Sequence, residues 1–208
     1  MTELYLVRHG RTFANEAGLK QGQINDERTY LNETGRKQAQ KLAQQFDLAG
    51  FTKIYVSPLK RTLDTATILN QKAHLPVTTD DRLLEISYGK WDGQYNQVLM
   101  EQYPQLFSPL VKDVKPQYFE TAGGESFADV EKRVAAFTKD VVRTYPNEKI
   151  LVVTHGFTVR SFAINAVKSA GLAILEPDNC SVSKILIDPN SLTQNLVYYN
   201  RSVTGLKK

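Results

Sequence analysis

Apolar positions along this chain follow two rhythms. Short runs dense in Leu, Ile, Val and Tyr, at Leu4–Val7, Ile54–Ser57, Ile150–Thr154, Lys184–Ile187 and Asn195–Tyr199, predict strands. Apolar or β-branched residues dominate the first three, as expected of strands covered on both faces. Between the runs the period changes to that of a helix. Ala39, Leu42, Ala43 and Phe46 form one stripe, and Phe127, Val130, Val134, Phe137 and Val141 a second. Val159, Phe162, Ala163, Ala166, Val167 and Ala170 form a third. Asn32 is placed to cap the first helix, and Ser126, with Asp129 three residues on, the second. This βαβα alternation predicts an α/β fold of three layers, a mostly parallel sheet flanked by helices. Residues 1–208 read as a single domain. The stretch from about 95 to 124, with Pro104, Pro109, Pro116 and Gly123-Gly124, reads as an irregular insertion over one end of the sheet.

Composition narrows the classes. Of 208 residues, 41% are hydrophobic and 23% charged, which is the balance of a globular chain with a sizeable core. The net charge of +4 favours small anions, yet no dense Lys/Arg run marks a nucleic-acid or membrane surface. A single cysteine, Cys180, excludes an internal disulfide and argues against a cysteine-based metal site. The first residues, "TELYLV", carry no pattern of a secretory leader, and no apolar run is long enough for a bilayer; a cytoplasmic location is expected. Oligomeric state leaves no signature in the sequence.

The candidate chemistry lies where the strong strands stop. The first runs into Arg8-His9-Gly10, the second into "PLKRTLDTA" with Arg61 in the first turn of a helix, and the third into His155-Gly156. In an open parallel sheet, ligands bind beyond the carboxyl ends of the strands, where helix N-termini point. Two histidines and two arginines should therefore converge on one crevice suited to a dianionic phosphate, since guanidinium forks match phosphate oxygens. The glycine after each histidine is expected to let the backbone turn sharply and approach the ligand. No cluster of carboxylates is spaced for metals, so no metal and no cofactor are expected.

"RHGRTFAN" resembles the R-H-G-x-[ST]-x-x-N signature of the histidine phosphatase superfamily, the phosphoglycerate mutase-like fold. The likeness continues in order through "LNETGRKQA", "SPLKRTLDTA", "LLEISYGKWDG", "GGES" and "VVTHG". It implies that His9 is the nucleophile that becomes phosphorylated, Glu85 the proton donor, and His155 a third catalytic residue that also holds the phosphoryl group. Arg8, Asn15, Gln21, Gly22 and Arg61 complete the implied phosphate-binding set. One departure stands out: "QGQINDERTYLNETG" is longer than the family's usual link to P-L-T-E-x-G and has Tyr30 in place of the proline.

The same resemblance leaves two activities. "EISYG" keeps the Glu, Tyr and Gly of the mutases' E-R-H-Y-G, whereas the paired arginines of the mutase insertion have no counterpart in "SPLVKDVKPQY", where only Lys112 and Lys115 carry positive charge. A metal-independent phosphomonoester hydrolase acting on a small phosphorylated metabolite is expected. A cofactor-dependent phosphoglycerate mutase and a non-catalytic phosphoryl-binding module are the alternatives. Trp91, Tyr95, Tyr103, Phe107 and Tyr118 either wall the leaving-group side of the pocket or pack the insertion onto the body.

Overall fold

The computed structural model describes residues 1–202. Six strands form one sheet: β1 (Thr2–Arg8), β2 (Lys53–Val56), β3 (Val77–Thr79), β4 (Lys149–Thr154), β5 (Val182–Ile187) and β6 (Gln194–Arg201), in the spatial order β3-β2-β4-β1-β5-β6. β1 to β4 run parallel, and β5 and β6 add antiparallel to the β1 edge. The strand-rich runs of the sequence all became strands. β3 escaped the hydropathy pattern because its residues are exposed and it pairs at the sheet edge, so no buried face disciplines its sequence.

The helices are α1 (Phe13–Ala17), α2 (Glu33–Gln45), α3 (Lys60–Leu69), α4 (Asn96–Gln102), α5 (Tyr118–Ala122), α6 (Phe127–Thr144) and α7 (Gly156–Val167). Both expected caps form: Asn32 Oδ1 accepts from Gly35 N at 2.9 Å, and Ser126 and Asp129 make a reciprocal capping box. The third apolar stripe ran past the helix, since Lys168 adopts a left-handed conformation and ends α7 before Ala170.

Alternating side chains divide the core between the two faces of the sheet. Leu4, Leu6, Ile150, Val152 and Ile185 pack with Val130, Val134 and Phe137 of α6 and Phe157 and Phe162 of α7. Val7, Ile54, Val56, Leu151 and Val153 pack with Ala39 and Leu42 of α2 and Ala66 and Leu69 of α3. With both faces covered, β1 and β4 become the rigid centre of the molecule, and their carboxyl ends lie side by side, Arg8 opposite Thr154.

The insertion is more regular than expected, containing α4, α5 and a short turn of 3-10 helix at Pro104–Leu106. Its aromatics pack it onto the body. Trp91 is buried, with Tyr103, Phe107 and Tyr118 ring centroids 5.1, 5.9 and 5.9 Å away, whereas Tyr95 is exposed. Residues 110–113 of the insertion instead provide backbone and side chains at the wall of the main cavity.

Candidate active site

A cavity of about 720 Å³ opens beyond the carboxyl ends of β1, β2 and β4. Of the expected residues, Arg8, His9, Asn15, Gln21, Gly22, Arg61 and Glu85 line it. Strand geometry explains the assembly: β1 delivers Arg8 and His9, the turn after β2 starts α3 with Arg61 buried in its first turn, and β4 ends at His155.

His9 is buried, and its Nδ1 lies 2.7 Å from Gly10 O. A carbonyl only accepts, so Nδ1 carries the hydrogen and Nε2 keeps its lone pair. Burial, reinforced by the Arg61 and Arg8 charges, holds the His9 pKa well below its ordinary value. The ring is therefore neutral at pH 7. His155 is likewise held neutral by burial first and by Arg61 next.

Arg61 is gripped on three sides. Its Nε donates to His155 Nδ1 at 3.2 Å, Nη1 to Ile24 O at 2.9 Å and Nη2 to Gly22 O at 2.7 Å. Because Arg61 occupies Nδ1 of a neutral imidazole, Nε2 of His155 carries the hydrogen and donates to Ser57 Oγ at 2.7 Å. The sequence placed His155 directly on the phosphoryl group. In the structure its ring centroid lies 5.3 Å from that of His9, and its one acceptor and one donor are taken by Arg61 and Ser57. The lengthened 21–31 segment is what closes on Arg61: Gly22 and Ile24 supply the acceptors, Asn25 Oδ1 accepts from Lys60 N at 2.9 Å, and Gln23 Nε2 donates to Glu85 O at 3.0 Å.

Glu85 sits against the start of α7. Its Oε2 accepts from Phe157 N at 3.3 Å and its Oε1 from Ile86 N at 3.1 Å, which fixes the carboxyl group at the start of α7. Arg133 of α6 fixes the backbone beneath it, donating to Glu85 O at 3.2 Å while pairing with Glu125, whose Oε2 accepts from Ser87 N at 3.0 Å.

Arg8 reaches across to the loop before β5. Nη1 donates to Pro177 O at 2.5 Å, and Nη2 lies 3.5 Å from Glu176. Glu176 also lines the cavity, and burial raises its pKa to about 7, although Arg8 pulls it back. From the same loop, Asn179 Nδ2 donates to His9 O at 2.9 Å and Cys180 N to Arg8 O at 3.0 Å. The glycines after the histidines serve packing rather than a tight turn. A Cβ on Gly10 would lie 2.5 Å from Gly35 O, and one on Gly156 would lie 2.1 Å from Glu176 Oε2 and 2.9 Å from Arg8 Cζ. Sequence reasoning missed Ser57, Arg133 and Glu176. Ser57 stood at the end of an expected strand, but Glu176 lies in a loop with no motif around it.

A neutral imidazole, a buried and a partly buried arginine and a carboxyl group gather at the mouth of a parallel sheet, an arrangement suited to phosphoryl transfer. The chain belongs to the histidine phosphatase superfamily, whose branch 1 matches residues 4–200. Among curated proteins it is 36% identical over 187 residues to phosphoserine phosphatase 1 of Hydrogenobacter thermophilus, covering 89% of this chain and 86% of that one. It is 31% identical to a probable phosphoglycerate mutase of Proteus mirabilis, covering 89% and 85%. Among solved structures, YhfR of Bacillus stearothermophilus superposes with a TM-score of 0.85 at 27% identity, covering 97% of this chain and 98% of that one.

Proposed function

We propose that this histidine phosphatase hydrolyses small phosphomonoesters in two steps through a phosphohistidine at His9. One observation carries the reading: His9 is neutral, with its Nδ1 hydrogen committed to Gly10 and its other nitrogen free, in a cavity it shares with Arg8 and Arg61. In the first step Nε2 attacks phosphorus, the P–N bond forms and the ester P–O bond breaks, and Glu85 gives its proton to the departing oxygen. In the second, Glu85 takes a proton from water, the water oxygen attacks phosphorus, the P–N bond breaks and inorganic phosphate leaves. Charge on the equatorial oxygens meets Arg8, Arg61, Asn15, Gln21 and the Gly22 backbone. Arg61 needs no reorganisation, since three of its N–H groups are already fixed by protein acceptors. His155 works through Arg61, holding its Nε edge.

The arginines supply the positive charge, so turnover needs no metal. Among the described residues no helix is long and apolar enough to cross a membrane, and the free buried thiol of Cys180 fits a reducing, cytoplasmic setting. Rapid quench with labelled substrate in EDTA tests the reading. Label on His9, stable to base and lost in acid, is expected, with phosphate released faster than any isomer forms from 3-phosphoglycerate primed with 2,3-bisphosphoglycerate. Label on another residue would overturn the intermediate, and isomerisation outrunning release would make the chain a mutase.

A further inference from the structure

The "GGES" stretch, Gly123–Ser126, packs against the residues that follow Glu85. A Cβ on Gly124 would lie 2.2 Å from Ser87 O, and Glu125 N donates to that same carbonyl at 2.9 Å. The Glu125 side chain turns the same way. Its Oε1 accepts from Arg133 Nε at 2.9 Å, and its Oε2 accepts from Arg133 Nη2 at 3.2 Å, Ser87 N at 3.0 Å and Gln23 Nε2 at 3.4 Å. Every group that converges on Glu125 is a donor, so only a carboxylate satisfies them all.

Residues 82–85 leave a turn of 3-10 helix, Asp81–Leu83, and reach the site without entering a strand, so no ladder takes up their carbonyls. Side chains do so instead. Thr154 Oγ1 donates to Leu83 O at 2.6 Å and Thr158 Oγ1 to Leu84 O at 2.7 Å. Both outer carbonyls go to Arg133, whose Nη1 donates to Arg82 O at 2.7 Å and Nη2 to Glu85 O at 3.2 Å. A planar guanidinium fixes the spacing of the acceptors it bridges, which a lysine ammonium does not. Arg133 and Glu125 thus grip the chain on both sides of the proton donor.

That grip decides where the Glu85 carboxyl group lies. Oε1 is bound to the N–H of the next residue, Ile86, and Oε2 to Phe157 N, so the group follows its own backbone and does not swing freely. A partly buried ion pair contributes little to stability for its own sake, which leaves geometry as what Glu125 and Arg133 supply.

We infer that Glu125 and Arg133 are positioning residues for proton transfer: together they hold the backbone of residues 82–87 so that the Glu85 carboxyl group meets the ester oxygen of the leaving group. The inference rests on the proton-donor role given to Glu85 above and adds the groups that place it.

The test compares kcat/KM, which reports phosphoryl transfer to His9, for glycerol 3-phosphate and for p-nitrophenyl phosphate. Arg133→Met should lower the first by about ten- to hundred-fold and the second by less than about three-fold, because only the alkoxide needs its proton placed. Inhibition by vanadate should stay unchanged, since Arg8 and Arg61 keep their partners. Arg133→Lys keeps the charge without the fork and should show the same split; full recovery by lysine would overturn the inference. So would equal losses on both esters, which a merely structural role predicts. In a Glu85→Gln background, Arg133→Met should cost nothing more on the alkyl ester, and an independent loss there would also overturn it. If Arg133→Met does not fold, Glu125→Gln carries the same comparison, and an unaltered ratio of the two esters again refutes the positioning role. A split at Glu85→Gln with none at Arg133 or Glu125 overturns this inference alone, whereas no split at Glu85→Gln overturns the proton-donor reading and this one with it.

Discussion

The two ends of the cavity are built on different principles. At the phosphoryl end the charged groups stand at strand ends and helix starts and are held by fixed partners: Arg61 by His155 and by the carbonyls of Gly22 and Ile24 in the 21–31 segment, and Glu85 by the backbone of Phe157 and Ile86. At the far end the wall is assembled from the 110–113 loop, with Leu110 88% exposed, from the 172–176 segment, and from Arg160, whose fork meets no hydrogen-bond partner among the described residues. Phosphoryl transfer gains most from donors that do not move when charge develops, so its groups belong on the sheet. Selection among leaving groups tolerates loops, which can be exchanged without disturbing the chemistry.

The largest effect that would break this contrast is at Glu85. Glu85→Gln should slow alkyl phosphates roughly 10²–10⁴-fold and p-nitrophenyl phosphate far less, because nitrophenolate departs without a proton. Pre-steady-state rates on both ester types measure it, and equal slowing would remove Glu85 from proton transfer. Next comes Arg61→Ala, expected to lower kcat/KM roughly 10²–10³-fold for every substrate alike. A loss confined to one substrate class would mean that Arg61 belongs to the selecting end.

Stability provides a third handle. His9 and His155 are held neutral in the fold with pKa values below their ordinary 6.5. Below about pH 6.5 the unfolded chain therefore binds more protons than the folded one, and stability falls as pH drops, by up to about 1.4 kcal/mol per pH unit for each histidine. Denaturant titrations between pH 5 and 7 should show this slope, and His9→Asn should reduce it. The smallest effect sharpens the boundary between the two ends, at Glu176. With its pKa raised to about 7 by burial, Glu176 gains charge as pH rises from 7 to 8.5 and offsets Arg8 more strongly. KM for a dianionic ester should rise several-fold over that range in the wild type and stay flat in Glu176→Gln.

Much of the phosphoryl end was legible because its motifs are local. A strand that must be buried on both faces is written as an unbroken apolar run, and the residue that ends it stands at the carboxyl edge of the sheet. Reading Arg8, His9, Arg61 and His155 off those stops required only the strand and helix periods. The edge strand Val77–Thr79 was illegible for the converse reason, since nothing buried its residues. The aromatics of the insertion were readable as aromatic but not as core, because either role uses the same side chains.

What the sequence by itself determined is which side chains the strand ends deliver, since chain direction and strand length settle that within a few residues. Only the tertiary structure decided what those side chains touch. His155 meets Ser57 across 98 positions, and Arg8 meets Glu176 from a loop with no motif. Arg160 stands among Thr158, Ser161 and Asn165 as one of several polar positions of α7. Packing put it inside the cavity wall, gave its nearest carboxylates to Arg8 and Lys20, and left its fork unmet. Such pairings depend on how helices and loops close over the sheet, and hydrogen bonds and ion pairs form between groups that packing brings together, however far apart they lie along the chain.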